Sequence, residues 1–173
     1  MRIRLDERLI HGQVLIGIVK FLRIENILIV SDSLQSNPTR MKLLKLTIPQ
    51  DLVLTVKTVD DFVKFFKEQE ISPKDNILIL FEKMDALFDF LQKSEYKGQV
   101  HFANYHNFNG NIKLTKTLTL TESELDKLRQ FKAGGVDFIY CLTPYEKERK
   151  LLEKDYYGKT QPDFGVSQSS ANR

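Results

Sequence analysis

A carboxylate, a guanidinium and an imidazole fall within six residues near the start of the chain: Asp6, Arg8 and His11, with Gly12 and Gln13 directly after them. An imidazole changes charge near neutral pH and can act as nucleophile, base or metal ligand. Asp6 could accept a hydrogen bond from one ring nitrogen, which fixes the tautomer and leaves the other nitrogen free to attack. Arg8 offers a planar fork that matches a phosphoryl group in a bidentate way. Gly12 lets the backbone come close to a bound group. The set suits a histidine that carries phosphate. The residues alone leave a second reading open, in which the loop is solvated, Asp6 pairs with Arg8, and His11 only caps a helix.

The flanking patterns say what must position these groups. Met1, Ile3 and Leu5 alternate with Arg2 and Arg4, the two-residue period of a strand. Val14, Leu15, Ile18, Val19 and Leu22 then recur at helical period along one stripe. The cluster therefore belongs to a strand-to-helix loop, with His11 beside the helix start, where free N–H groups and the dipole favour an anion. In a parallel sheet such a loop lies at the carboxyl edge, where ligands bind.

Strand-like and helical runs alternate along the rest of the chain. Strands are predicted over 26–30, 52–56, 76–81, 99–103 and 136–142, with a short extended segment around Leu114 to Leu120. Helices are predicted after Asn37-Pro38, after Thr58, from Met84, and after the capping box at Thr121–Glu124. Thr143-Pro144 is expected to cap a final charged helix to about Tyr156. The expectation is an α/β fold with an open, mostly parallel central sheet of about six or seven strands, helices on both faces and right-handed crossovers. One domain over 1–157 is expected, with a loosely ordered tail over 158–173 that is rich in Gly, Ser, Gln and Asn.

Composition narrows the class. The chain has 173 residues, 42% hydrophobic and 28% charged, ordinary for a soluble globular domain. A net charge of +3 is too small to argue for nucleic acid, though it is compatible with phosphate or an acidic partner. The single cysteine, Cys141, excludes an internal disulfide and reads as intracellular core. No apolar run has the length of a signal peptide core or a membrane span, so a membrane connection would come through a partner. Three histidines and one cysteine show no zinc-site spacing, and no metal is expected.

The run Arg4-Leu5-Asp6-Glu7-Arg8-Leu9-Ile10-His11-Gly12-Gln13-Val14 closely resembles the signature of the IIB components of the mannose/fructose/sorbose family of bacterial sugar phosphotransferase systems. The likeness continues through Val30-Ser31-Asp32, Asn37, Arg40, Leu43-Leu44-Lys45 and Pro49, then Leu80-Phe81 and Asp85, and Thr121 to Val136. It covers nearly the whole chain to about residue 156. It implies that His11 is phosphorylated on Nδ1 by a phosphohistidine of a IIA protein. The phosphoryl group then passes to a sugar held by membrane IIC and IID components, and Arg8 and Asp6 flank the reacting histidine. By the same likeness the protein is cytoplasmic and peripheral to the membrane through the permease, uses no cofactor, and forms a homodimer in the family's manner. A regulatory, non-catalytic IIB-like module that senses the state of the system is the alternative.

Around that centre, Gly12, Gln13, Arg40 and Phe81 are candidate phosphate- or loop-binding residues, Phe81 as an apolar wall. The family commonly carries Gly-Gly-Met after the fifth strand. Here Ala103-Asn104-Tyr105 stands in its place, followed by His106, and Asn104, Tyr105 and His106 are expected to form a partner-facing loop near His11. His101 alternates with Val100 and Phe102 and reads as a satisfied structural histidine.

Overall fold

The structure is a computed structural model that describes residues 1–69 and 75–152. Its centre is a seven-stranded sheet in the order β10-β9-β5-β1-β4-β2-β3. The strands are β1 (Arg2–Leu5), β2 (Asn26–Val30), β3 (Val53–Lys57), β4 (Ile77–Phe81), β5 (Gln99–Phe102), β9 (Asp137–Tyr140) and β10 (Arg149–Lys150). All neighbours run parallel except β10 against β9. A separate three-stranded sheet, β6 (Tyr105–His106), β7 (Ile112–Thr115) and β8 (Leu118–Leu120), follows β5.

Strand order dictates where the helices lie. The chain steps from β1 outward to β2 and β3, returns to β4, and hops over β1 to β5 and then β9. Right-handed crossovers in opposite directions put helices on opposite faces. One face carries the first helix, α1, π-helical over Gln13–Val19 and α-helical over Lys20–Leu22, together with α2 (Asp32–Gln35) and α3 (Pro38–Leu46). Its core joins Val14, Ile18, Ile29, Leu34 and Leu80. The other face carries α4 (Val59–Glu68), α5 (Met84–Ser94) and α6 (Glu122–Ala133), over a core with Leu5, Phe62, Phe81, Phe90, Leu128 and Phe138. Both faces of β4 are covered, which is why its sequence is an unbroken apolar run, whereas β1 alternates Ile3 and Leu5 with Arg2 and Arg4.

Loops after β1 and β4 therefore leave in opposite directions, and a crevice opens between them at the carboxyl edge. That is the switch point where open parallel sheets bind ligands.

Two local expectations are corrected. The first helix has the predicted start but π rather than α winding; Lys20 N–H bonds the Leu15 carbonyl five residues back. Such turns widen a helix and occur often beside functional sites. The predicted final charged helix is absent from the described part of its range. Residues 143–148 turn back, and Arg149–Lys150 pairs with Ile139 and Tyr140. Leu151 is fully buried and donates its N–H to Phe138, a contact that a helix carrying the chain away would not allow. Residues from 153 on, and with them the expected tail, lie outside the described residues.

Candidate functional site: a histidine loop at the carboxyl edge

Residues 6–12 leave β1 where β4 and β5 end on either side. Asp6 N–H donates to the Phe81 carbonyl at 3.0 Å, and Glu7 N–H donates to the Asn104 carbonyl at 2.9 Å. The loop is thus pinned to both neighbouring strands before it turns. Leu9 makes the turn at φ 53°, with its N–H on the Asp6 carbonyl at 2.9 Å. A leucine in the left-handed region costs about 1 kcal/mol. Its side chain is buried in the α1–α3 core, and burial of a leucine offsets that cost by about 2 kcal/mol. The turn brings His11 back over Asp6, and the His11 carbonyl accepts the Leu15 N–H that starts the first helix.

Asp6 is fully buried and is the hub of the site. Its Oδ2 lies 3.3 Å from His11 Nε2 and 3.4 Å from an Arg4 guanidinium nitrogen. Its Oδ1 accepts the Arg8 N–H at 3.3 Å and lies 3.7 Å from Arg8 Nε. Arg8 reaches on to Gln13 Oε1 at 3.0 Å with its side chain 45% exposed. The His11 side chain retains 20% exposure. A Cβ placed on Gly12 would meet nothing within 4 Å, and its backbone angle is ordinary, so the space beside it is open. The structure brings Asp6, Arg8, His11, Gly12 and Gln13 together as predicted.

The outlying candidates fare differently. Arg40 lines a cavity of about 240 Å³ with Arg8, Leu9, Ile10 and Leu43, but its guanidinium is paired with Glu82 at 2.6 Å. Glu82 also accepts from Ser31 at 2.7 Å and Ser33 at 3.3 Å. Its carboxyl is held below the usual range: burial opposes this, and the bonds from Arg40 and Ser31 outweigh burial. Phe81 is corrected. Its side chain faces the opposite core, 5.9 Å from the Phe62 ring and 5.4 Å from the Phe90 ring, and it serves the loop only through its carbonyl.

The 103–110 loop does sit against the histidine loop, but its expected roles are redistributed. Asn104 is buried and holds Glu7 by its carbonyl, while its side-chain Nδ2 makes no hydrogen bond. Tyr105 turns its hydroxyl to Glu124 rather than outward; burial and that carboxylate push the phenol well above its usual range. Glu124 also closes the capping box of α6 and accepts from Asn107 at 3.0 Å. His106 keeps an exposed place, with Nδ1 2.8 Å from Glu7 Oε1 and its backbone N–H 2.9 Å from Glu7 Oε2. Phe108, on the same loop, is fully exposed.

Arg4 and Glu82 are not among the expected site residues. The signal for Arg4 was an arginine at an inward position of a central strand; Glu82 gave none beyond its place at a strand end. His101 is buried as expected but not satisfied: its Nδ1 makes no hydrogen bond and lies 3.8 Å from Glu148. Burial, with Arg2 and Arg4 nearby, lowers its pKa to about 3. Cys141 is buried core as read, with its thiol on the Thr143 carbonyl. Among the described residues no group of three His, Cys, Asp or Glu side chains could hold a metal, and no helix is long and apolar enough to cross a membrane.

Comparison with known proteins agrees with this architecture. The IIBSor domain of the sorbose permease from Klebsiella pneumoniae superposes with a TM-score of 0.78 at 20% identity, covering 92% of this chain and 96% of that one. The N-acetylgalactosamine-specific phosphotransferase enzyme IIB component 2 of Escherichia coli (strain K12) is 21% identical over 150 residues, 87% of this chain and 94% of that protein. The mannose-specific EIIAB component of the same organism is 20% identical over 150 residues, 87% of this chain and 46% of that protein. Residues 1–159 match the family described as the PTS system sorbose subfamily IIB component, and the chain belongs to that family of phosphotransferases.

Proposed function

We propose that His11 is the residue that carries the phosphoryl group, and that it carries it on Nδ1. The carrying observation is the 3.3 Å approach of Asp6 Oδ2 to His11 Nε2. A carboxylate can only accept, so Nε2 is the protonated nitrogen and the lone pair resides on Nδ1. That lone pair attacks phosphorus on a donor phosphohistidine in line with the donor P–N bond. The new P–Nδ1 bond forms as the old one breaks, and the donor imidazole leaves with its electron pair. In the second step a sugar hydroxyl oxygen attacks the same phosphorus, the P–Nδ1 bond breaks, and the hydroxyl proton passes to solvent or to a base of the sugar site.

Little covalent chemistry falls to the protein beyond the histidine; positioning and charge stabilisation dominate such transfers. Arg8 is placed to meet the phosphoryl oxygens, and N–H groups at Gly12 and Gln13 add donors at the helix start. The exposed edge of His11 suits a protein-borne donor better than an enclosed metabolite pocket would. A IIA protein is the proposed donor, which the joined A and B designations of the mannose-specific relative support. Permease components that hold the sugar are the proposed acceptor, and would bring this chain to the membrane surface.

The test is incubation with phosphoenolpyruvate, the general phosphotransferase proteins and a cognate IIA. An acid-labile, base-stable phosphoryl label is expected on the wild type and not on His11→Ala. A wild type that stays unlabelled with an active IIA overturns the reading.

A further inference from the structure

We infer that Arg4 is a positioning residue for the transfer: its buried guanidinium balances Asp6, so that His11 meets Asp6 as a neutral donor and keeps its Nδ1 lone pair. The inference rests on the reading of His11 as the phosphoryl acceptor.

Three observations carry it. First, Arg4 and His11 share a single oxygen: Asp6 Oδ2 lies 3.4 Å from the arginine and 3.3 Å from the imidazole. Second, Arg4 is only 2% exposed and Asp6 is fully buried, so their charges face each other with little water to screen them. Third, the guanidinium cannot drift. One of its nitrogens donates to the Cys141 carbonyl at 2.7 Å, and another to the Leu142 carbonyl at 2.9 Å. Those carbonyls begin the 141–148 segment, whose Pro144 lies 3.7 Å from the space above Gly17 and whose Tyr145 ring stands 5.0 Å from Phe21, both in the first helix.

The remaining charges near the site are already committed. Arg8 touches Asp6 only through Oδ1, from a half-exposed position. Glu7 is turned to His106, Arg40 to Glu82, and Glu148 to Arg2 and His101. Glu146 reaches Thr143 at 3.4 Å. The first turn of the π-helical segment carries no acidic residue. Arg4 is thus the buried cation set against the buried carboxylate. Without it, the Asp6 charge draws a second proton onto His11, and an imidazolium has no lone pair to attack phosphorus.

Ring-nitrogen NMR titration of His11, assigned by comparison with His11→Ala, tests this without any transfer reaction. In Arg4→Met the His11 midpoint is expected to rise by about one pH unit. Labelling at neutral pH is expected to slow about threefold, the loss of neutral imidazole that a one-unit rise brings, and to recover as the pH is raised. Arg4→Lys keeps the charge and is expected to stay within about half a unit of wild type. Should Arg4→Met not fold, Arg4→Gln, which keeps a donor for the Leu142 carbonyl, reads the same rise. A folded neutral variant with an unmoved His11 midpoint overturns the inference, as does a rise in Arg4→Lys equal to that of the neutral variant. Failure of the wild type to take label would overturn the phosphocarrier reading and leave the titration readable.

Discussion

Asp6 Oδ2 holds His11 Nε2 at 3.3 Å from a position with no solvent exposure, while the histidine keeps a fifth of its side-chain surface open. A buried carboxylate facing one nitrogen of a partly open imidazole leaves the other nitrogen for a partner, on the proposed reading of His11. Asp6→Asn removes the carboxylate charge and one of its two acceptor oxygens, and strands the Arg4 cation. The rate of label uptake is expected to fall at least tenfold, and stability by about 3 kcal/mol, because breaking one side of a buried ion pair leaves the other uncompensated. Single-turnover labelling and urea unfolding measure the two losses separately; a full rate in the folded variant would remove Asp6 from the mechanism.

Arg8 behaves oppositely because it is exposed. Its ties to Gln13 and Asp6 involve a side chain 45% open to solvent, so they add little to stability. Arg8→Ala is expected to slow transfer by about ten- to a hundredfold and to change the unfolding free energy by less than about 0.5 kcal/mol. An unchanged transfer rate would show that the phosphoryl charge is met elsewhere.

His101 predicts a pH dependence of the fold. Burial and the nearby Arg2 and Arg4 lower its pKa from an ordinary 6.5 to about 3. The unfolded chain therefore binds a proton below pH 6.5 that the folded chain refuses. The stability that the neutral ring gives is complete above pH 6.5 and is lost as pH falls toward 3. Between pH 7 and pH 5 this amounts to about 2 kcal/mol. Denaturant midpoints of wild type and His101→Leu at both pH values isolate it: the wild type should lose about that much more than the variant.

Phe81 separates packing from chemistry. It lies in an aromatic cluster with Phe62 and Phe90, on the face away from the α1–α3 core. Phe81→Ala is expected to cost about 3 kcal/mol through the cavity it leaves. Phe81→Leu should cost less, and labelling per folded molecule should stay at the wild-type rate. A rate defect in folded Phe81→Leu would place the ring in the site after all.

Much of the architecture was legible in the chain because it rests on local patterns. The two-residue alternation at Ile3 and Leu5, the apolar runs at Asn26–Val30 and Ile77–Phe81, and the capping box at Thr121–Glu124 are properties of neighbouring residues. Spacing also put Asp6, Arg8 and His11 on one short loop, while the residues alone left its chemistry open. Periodicity misjudged the segment after Thr143. Its outcome depends on Leu151 burying against β9 and on Arg4 taking the carbonyls of Cys141 and Leu142, none of which local pattern encodes.

By itself, then, the sequence determined the alternating α/β order and the position of the candidate loop, because those are set by periods of two and 3.6 residues and by side chains within six positions of each other. Only the tertiary structure decided which groups stand around His11. Arg4 and Cys141 are 137 residues apart, and Glu7 and His106 are 99 apart. They meet because β5 and β9 line up on one side of β1 while β4 and β2 line up on the other. Strand order is a long-range property, and it turned an inward arginine of β1 into the counter-charge of the site.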